Sequence, residues 1–125
     1  MEKRLNLTKE YICSIDPVTA RDLDDALSIN KLDDGTYEIG VHIADVSHFV
    51  EANTEIDKEA TLRTTSVYLV HKVIPMLPRM LCEELCSLNR DVERLAFSVF
   101  FCITSDGEVL WDRFRASKSV IKSCA

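Results

Sequence analysis

The chain has 125 residues, of which 46% are hydrophobic and 29% charged, and its net charge is −6. This composition is typical of a globular domain and excludes a disordered or collagen-like chain. No apolar run reaches the roughly 18 residues that cross a bilayer, and the charged N-terminus leads into no apolar signal segment. We expect one small domain, or part of a larger one, in an intracellular setting without membrane contact.

The spacing of the cysteines and the acidic pI of the chain indicate whether disulfides, a zinc site or a nucleic-acid surface should be expected. The cysteines are odd in number and scattered, unlike those of secreted disulfide domains; they are Cys13, Cys82, Cys86, Cys102 and Cys124. Cys82 and Cys86 lie one helical turn apart, but no second ligand pair accompanies them, so their spacing argues against zinc. A pI near 5.0 by itself disfavours a nucleic-acid surface. Metal ions bound among the acidic groups would reverse the local electrostatic field, which weakens this argument against nucleic-acid binding.

The N-terminal third predicts three strands after a lead-in of residues 1–11. Tyr11–Ile15 is a short apolar run that indicates a strand. Ala26–Lys31 and Thr36–Asp45 alternate in polarity, as half-buried strands do. Between them Asp33-Asp34-Gly35 is a hairpin signal, because glycine readily adopts the positive φ of a tight turn.

Two helices are predicted in the middle of the chain. Thr54-Glu55-Ile56-Asp57 has the form of a capping box and predicts a helix that runs to about Leu69. Pro78 is well placed in a first helical turn, and a leucine stripe extends this second helix to about Leu88.

The last third predicts a second hairpin, which settles the expected fold class. Leu95–Thr104 and Glu108–Arg115 flank the turn signal Ser105-Asp106-Gly107. We therefore predict an α+β fold that has a mixed, mainly antiparallel sheet and two or three helices.

Four aspartates lie within ten residues at the predicted strand ends: Asp16, Asp22, Asp24 and Asp25. In an extended segment Asp22 and Asp24 point to the same side and Asp25 points to the other. Carboxylates this close repel one another, which raises the pKa of at least one of them unless a cation is bound. Oxygen ligands suit Mg²⁺ or Mn²⁺, so the spacing predicts a divalent metal site.

Two other interpretations of these aspartates remain open on spacing alone. Acidic clusters at turns often form only solvated surface. Aspartates at alternate positions also occur in calcium-binding loops, but the loop pattern with a glutamate at position twelve is absent.

The order of several motifs resembles the start of the RNB catalytic domain, the family of ribonuclease II and ribonuclease R. The matching segments are Ile15–Pro17, Arg21–Leu27 and Val41–Ser47. Three later segments, Ser66–Leu69, Pro75–Pro78 and Leu81–Asn89, resemble the cytoplasmic eukaryotic Dis3-like branch of this family. The resemblance implies that residues 12–125 are the N-terminal portion of an RNB domain and that the protein is cytoplasmic.

The resemblance also implies an activity and roles for single residues. It implies magnesium-dependent hydrolysis of single-stranded RNA from its 3′ end, uridylated RNA among the substrates, with release of nucleoside 5′-monophosphates. The four aspartates match the family's metal ligands, and Asp24 matches the residue essential for catalysis. Tyr68 matches an aromatic residue that stacks on a nucleotide, although without the family match a tyrosine packed in the core at a helix end is the commoner case. His42 and Asp45 match positions beside the metal strand, which we interpret as structural or supporting.

Several parts of the family's active centre have no counterpart in this chain. A later arginine and glutamate, a further aromatic clamp and the flanking cold-shock and S1 modules cannot be placed on the sequence. The alternative hypothesis is therefore a truncated, catalytically inactive RNB fragment that at most binds metal or RNA.

Overall fold

The computed structural model describes residues 3–124, which build a five-stranded sheet, a separate two-stranded hairpin and short helices. The strands are β1 (Leu5–Leu7), β2 (Asp25–Lys31), β3 (Tyr37–Ala44), β4 (Val67–Tyr68), β5 (Val73–Ile74), β6 (Glu93–Ile103) and β7 (Val109–Lys122). The large sheet has the order β1-β7-β6-β3-β2, and only its β1–β7 pair is parallel. The predicted α+β class with a mainly antiparallel sheet is confirmed.

The three helices are α1 (Val46–Phe49), α2 (Glu55–Arg63) and α3 (Met80–Leu85). Within the described range no helix combines the length and apolarity needed to cross a bilayer. The five cysteines are free thiols, as predicted. Residues 1, 2 and 125, which belong to the predicted segments 1–11 and 12–125, lie outside the described residues.

Both predicted hairpins of the large sheet are confirmed. β2 and β3 pair in continuous antiparallel register around Gly35, which has φ +83°. Asp34 strengthens this turn because its carboxylate accepts a hydrogen bond from the Thr36 amide at 3.0 Å. β6 and β7 pair around Gly107, which has φ +86°. β7 continues to Lys122, well beyond the predicted end at Arg115, because its last part pairs with β6 on one side and with β1 on the other.

The first predicted strand, Tyr11–Ile15, is wrong. Only Cys13 pairs there, through an isolated bridge to Leu27. The edge strand lies earlier, at Leu5–Leu7, inside the segment predicted as a lead-in. Its neighbour in the sheet is the end of β7, where Leu5 pairs with Ser119. Because the partner strand is remote in sequence, local alternation of polarity does not reveal this pairing.

Helix α2 begins as predicted but ends at Arg63, not near Leu69. Thr54 caps it by accepting a hydrogen bond from the Asp57 amide at 3.4 Å. The helix ends at Thr64, whose φ of 69° and ψ of −36° are not helical. The Thr65 amide donates to the Arg63 carbonyl at 2.8 Å, which closes a tight γ-turn around Thr64.

Helix α3 is wider than an α-helix and shorter than the predicted helix to Leu88. The Cys86 amide donates to the Leu81 carbonyl at 2.9 Å, a separation of five residues. The chain leaves this helix after Leu85, and Leu88 then packs in the core. The Leu88 amide donates to the carbonyl of Leu23 at 2.8 Å. The residues after α3 thereby contact the segment that carries the aspartates.

Candidate metal and RNA-binding site

Residues 16–25, which we call the acid loop, carry the four aspartates and are anchored by hydrogen bonds to their backbone. The Leu23 amide donates to the Ser87 hydroxyl at 3.0 Å, and the Leu23 carbonyl accepts from the Leu88 amide at 2.8 Å. The Asp24 carbonyl accepts from the Ala44 amide at 2.9 Å, at the end of β3. The acid loop is therefore held between the large sheet and the segment after α3.

Asp22 is the most perturbed carboxyl group of the acid loop. Burial, a hydrogen bond with the Asp24 carboxyl group and the negative charges of Asp24 and Glu83 raise the pKa of Asp22 to about 7. One pKa in the cluster is raised, as expected, but burial contributes more to this shift than repulsion by the neighbouring carboxylates. The Oδ1 atom of Asp22 is buried and, among the described residues, has no hydrogen-bond partner. A buried carboxylate oxygen without a partner, beside further negative charges, favours a bound cation.

Two adjoining clefts meet at Asp22. The larger has a volume of 640 Å³ and is lined by Asp16, Asp22 and Tyr68 among others. The smaller has a volume of 320 Å³ and is lined by Asp22, Asp24 and Tyr68 among others. Arg21 and Lys72 place positive charge on the wall of the larger cleft. The acid loop thus faces open clefts that the aromatic ring of Tyr68 also lines.

The structure brings the four aspartates together only in part. Asp22 and Asp24 interact, and Asp16 shares the larger cleft with Asp22. Asp25 begins β2 and lines neither cleft, as the strand alternation predicted. Over residues 3–124, no three His, Cys, Asp or Glu side chains converge closely enough to enclose a metal ion. The adjacent carboxylates of Asp22 and Asp24, of which Asp22 has the unpaired Oδ1 atom, still fit Mg²⁺. This ion binds one or two carboxylates and keeps several waters.

Tyr68 lies on a hairpin and not in a helix end. It belongs to β4 and pairs with Val73 of β5. Its side chain is 72% exposed, so the alternative of a tyrosine packed in the core is excluded. The turn beyond it places Lys72 on the wall of the same cleft. An exposed aromatic ring beside a cation can stack on a base while the cation contacts the adjacent phosphate.

His42 lies inside the large sheet, away from the acid loop. It is fully buried, and its two ring nitrogens lie 2.9 Å from the hydroxyl of Ser28 and 2.7 Å from that of Ser98. Ser98 continues this chain of polar groups to the hydroxyl of Ser119 at 2.5 Å. Burial lowers the pKa of His42 to about 4, so the ring is neutral near neutral pH. Both ring nitrogens are engaged by serines, and His42 contributes to the interior of the sheet.

Asp45 follows β3 and forms a buried ion pair with Arg4 near the N-terminus. The Arg4 guanidinium donates to the Asp45 carboxylate at 2.7 Å, and the two side chains are only 8% and 5% exposed. The Ser47 hydroxyl donates to the other carboxylate oxygen at 2.8 Å. Burial alone would raise the pKa of Asp45, but these hydrogen bonds and the Arg4 charge hold it below its usual value. Asp45 thus fixes the end of β3, whose last residue binds the acid loop.

Three residues that border or brace the acid loop are not predicted from the sequence: Glu83, Ser87 and Asn89. Glu83 adds a negative charge close to Asp22. Ser87 is fully buried and hydrogen-bonded to the loop backbone. Asn89 connects the Ser87 hydroxyl, at 3.0 Å, to the Glu83 carbonyl, at 3.1 Å. A serine between the apolar residues Cys86 and Leu88 was the available signal, since a buried hydroxyl must find a hydrogen-bond partner.

Comparison with known proteins assigns the chain to a family. The RNB domain family matches residues 4–125, a range that includes β1. DIS3-like exonuclease 2 of Schizosaccharomyces pombe is 60% identical over 125 residues. The alignment covers 100% of this chain but only 13% of that protein. The chain therefore spans about an eighth of the length of this relative.

Solved structures show the same fold. Mycoplasma genitalium RNase R, in complex with ribose-methylated single-stranded RNA, is 35% identical with a TM-score of 0.91. That match covers 97% of this chain and 18% of the RNase R chain. Yeast Ssd1, a pseudonuclease, is 27% identical with a TM-score of 0.84, over 96% of this chain and 15% of its own. Together with the family match over residues 4–125, these relatives show that the chain belongs to the RNB family.

Proposed function

We propose that the chain provides the metal-binding part of a 3′-to-5′ exoribonuclease centre that hydrolyses single-stranded RNA to nucleoside 5′-monophosphates. The observation that carries this proposal is the buried, partnerless oxygen of Asp22, which lies beside Asp24 where two clefts meet. Membership of a ribonuclease family supports the reaction class.

Mg²⁺, or Mn²⁺ in its place, is the proposed cofactor. Asp22 and Asp24 would hold it, Asp16 would approach from the larger cleft, and Asp25 would contribute from the start of β2. When bound, the ion supplies Lewis-acid polarisation of a phosphate oxygen and a lowered pKa for a water molecule. The protein's own contribution is to keep two carboxylates adjacent despite their repulsion. Asp24 is the residue on which we expect catalysis to depend.

The RNA 3′ end is proposed to enter the larger cleft and stack on Tyr68. The ring is exposed and shares this cleft with Asp16 and Asp22, so a stacked terminal nucleotide would bring its phosphate towards the acid loop. Arg21 and Lys72 on the cleft wall provide positive charge for the RNA backbone. Stacking on an aromatic face tolerates any base, as degradation of successive nucleotides requires.

A second candidate function is binding of metal and RNA without hydrolysis. It is favoured by one observation: within residues 3–124 no three potential ligands converge on one point. The two candidates differ in whether this chain releases nucleotides.

The test is incubation of the purified chain with single-stranded RNA that has a free 3′ end, in Mg²⁺ or in EDTA. If this part of the centre suffices for hydrolysis, nucleoside 5′-monophosphates appear by chromatography in Mg²⁺ only, and Asp24→Asn abolishes them. Asp33→Asn, an exposed aspartate in the β2–β3 turn, is the matched control and should retain activity. Mg²⁺-dependent RNA binding without product would support the second candidate. Equal product from wild type and Asp24→Asn would refute the assignment of the site.

A further inference from the structure

Ser87 binds the backbone on which Asp22 and Asp24 are mounted. Its hydroxyl oxygen accepts a hydrogen bond from the Leu23 amide at 3.0 Å. Its single proton lies between two acceptors, the Asn89 side-chain oxygen at 3.0 Å and the Arg21 carbonyl at 3.3 Å. The next residue, Leu88, donates its amide to the Leu23 carbonyl at 2.8 Å. The two peptide groups that flank Leu23 are thus held by two adjacent residues.

These contacts act against a force that would open the loop. Asp22 is surrounded by the negative charges of Asp24 and Glu83, and the repulsion between them favours conformations in which the side chains separate. The peptide group after Asp22 and the one before Asp24 are fixed by these bonds, and the one after Asp24 is fixed by the Ala44 amide, which donates to the Asp24 carbonyl at 2.9 Å. These restraints hold the directions of both Cα–Cβ bonds. The two carboxylates therefore stay on the cleft side because their backbone cannot rotate.

Ser87 is itself rigidly placed. It is fully buried, and its carbonyl accepts hydrogen bonds from the Arg94 side chain at 3.1 Å and from the Asn89 amide at 2.8 Å. Asn89 in turn donates its side-chain amide to the Glu83 carbonyl in α3 at 3.1 Å. A support of this kind, locked by its own hydrogen bonds, is what a precise ligand geometry requires.

We propose that Ser87 is a positioning residue that holds the acid loop in the conformation presenting Asp22 and Asp24 to the two clefts. This inference rests on the proposed function, in which Asp22 and Asp24 bind a divalent cation. Ser87 does not touch the cation in this proposal; it acts through the backbone of Leu23. Its effect is therefore separable from that of the carboxylates themselves.

The experiment compares Ser87→Ala with Ser98→Ala in the full chain. Ser98 is the matched control because it is also fully buried and hydrogen-bonded, but within the large sheet to His42 and Ser119. Two quantities are measured: Mg²⁺ affinity by titration, and hydrogen exchange of the Leu23 amide by NMR. In Ser87→Ala we expect Mg²⁺ affinity to fall about tenfold or more and exchange at Leu23 to accelerate. Ser98→Ala should change neither beyond its effect on global unfolding.

The outcomes separate this inference from the proposed function. Equal affinity and equal Leu23 exchange in the two variants would overturn the role of Ser87. If the wild-type chain binds no Mg²⁺, the proposed metal centre fails, and exchange at Leu23 alone decides whether Ser87 orders the loop. Should Ser87→Ala not fold, Ser87→Cys fills the same space with a weaker acceptor. Exchange at the Leu23 amide should then be faster in Ser87→Cys than in the wild type, and an unchanged rate would refute the proposal.

Discussion

Tyr68 and Tyr11 have almost equally exposed rings, 72% and 73%, but only Tyr68 borders the clefts at the acid loop. This pair allows a test of the stacking contact. We expect Tyr68→Ala to weaken binding of single-stranded RNA by about 1–3 kcal/mol, and Tyr68→Phe to retain most of the affinity because the aromatic face remains. Fluorescence anisotropy with labelled RNA in Ca²⁺ or EDTA would measure this without hydrolysis. An equal loss in Tyr11→Ala would show that the effect is not specific to the cleft.

His42 predicts a pH dependence of stability. The folded protein keeps this ring neutral, with a pKa near 4, whereas the unfolded chain takes up a proton below the ordinary value of 6.5. The stabilisation is therefore complete above pH 6.5 and is lost as the pH falls towards 4. Between about pH 7.5 and about pH 5 the contribution to the free energy of unfolding should drop by about 2 kcal/mol.

Denaturant unfolding of wild type and His42→Gln at both pH values measures this contribution, because other titrating groups are common to the two proteins. The difference in stability between them should shrink on acidification. The variant His71→Gln, altered at an exposed histidine, should follow the wild type. A constant difference between wild type and His42→Gln would contradict the assignment of His42 as a neutral buried group.

At the scale of single elements, the end of α2 contains local strain. Thr64 has φ 69° at the centre of a γ-turn, a conformation that β-branched residues rarely adopt. Thr64→Gly should therefore raise the free energy of unfolding by about 1 kcal/mol, since relief of strain exceeds the greater freedom of glycine in the unfolded chain. Thr65→Gly is the control and should lower stability. Thermal unfolding of both variants measures the two effects, and a loss in Thr64→Gly would refute the strain.

Elements bounded by local signals could be predicted from the sequence, and those bounded by distant contacts could not. The turn at Gly35 and the cap at Thr54 act within a few residues, and both are found where expected. The ends of α2 and α3 depend on packing against other parts of the chain, which periodicity does not report. β1 is three residues long and acquires its structure only from β7.

The same division applies to the site. Asp22 and Asp24 could be found because they are close in sequence and share one side of an extended segment. Ser87 could not, because it is 64 positions away from Leu23 in the sequence and nothing between them indicates that the two meet. Asp16 and Asp25 were predicted with them, yet the structure leaves Asp25 outside both clefts.

At the scale of the whole molecule, Arg4 connects the N-terminal edge of the sheet to the end of β3. Arg4→Ala would leave the Asp45 carboxylate buried without its cation, so we expect a loss of about 3–5 kcal/mol in the free energy of unfolding. Lys58→Ala breaks an exposed ion pair, since the side chain of Lys58 is 61% exposed and that of its partner Glu55 is 90% exposed. This change should lower the free energy of unfolding by less than about 1 kcal/mol. Chemical denaturation of both variants measures their free energies of unfolding. A loss in Arg4→Ala as small as that in Lys58→Ala would contradict the importance of the buried ion pair.

The parallel pairing of β1 with the last part of β7 has a consequence for biosynthesis. Leu5 meets Ser119, so more than a hundred residues must leave the ribosome before the first strand finds its partner. At roughly 5–20 residues per second, this wait lasts about 5–20 s. Once β6 has been made and until β7 is complete, β6 has an open edge, which is the situation in which nascent chains recruit chaperones or associate with one another. Completion of the sheet, and with it the anchoring of Arg4 beside Asp45, is therefore among the last steps in the folding of residues 3–124.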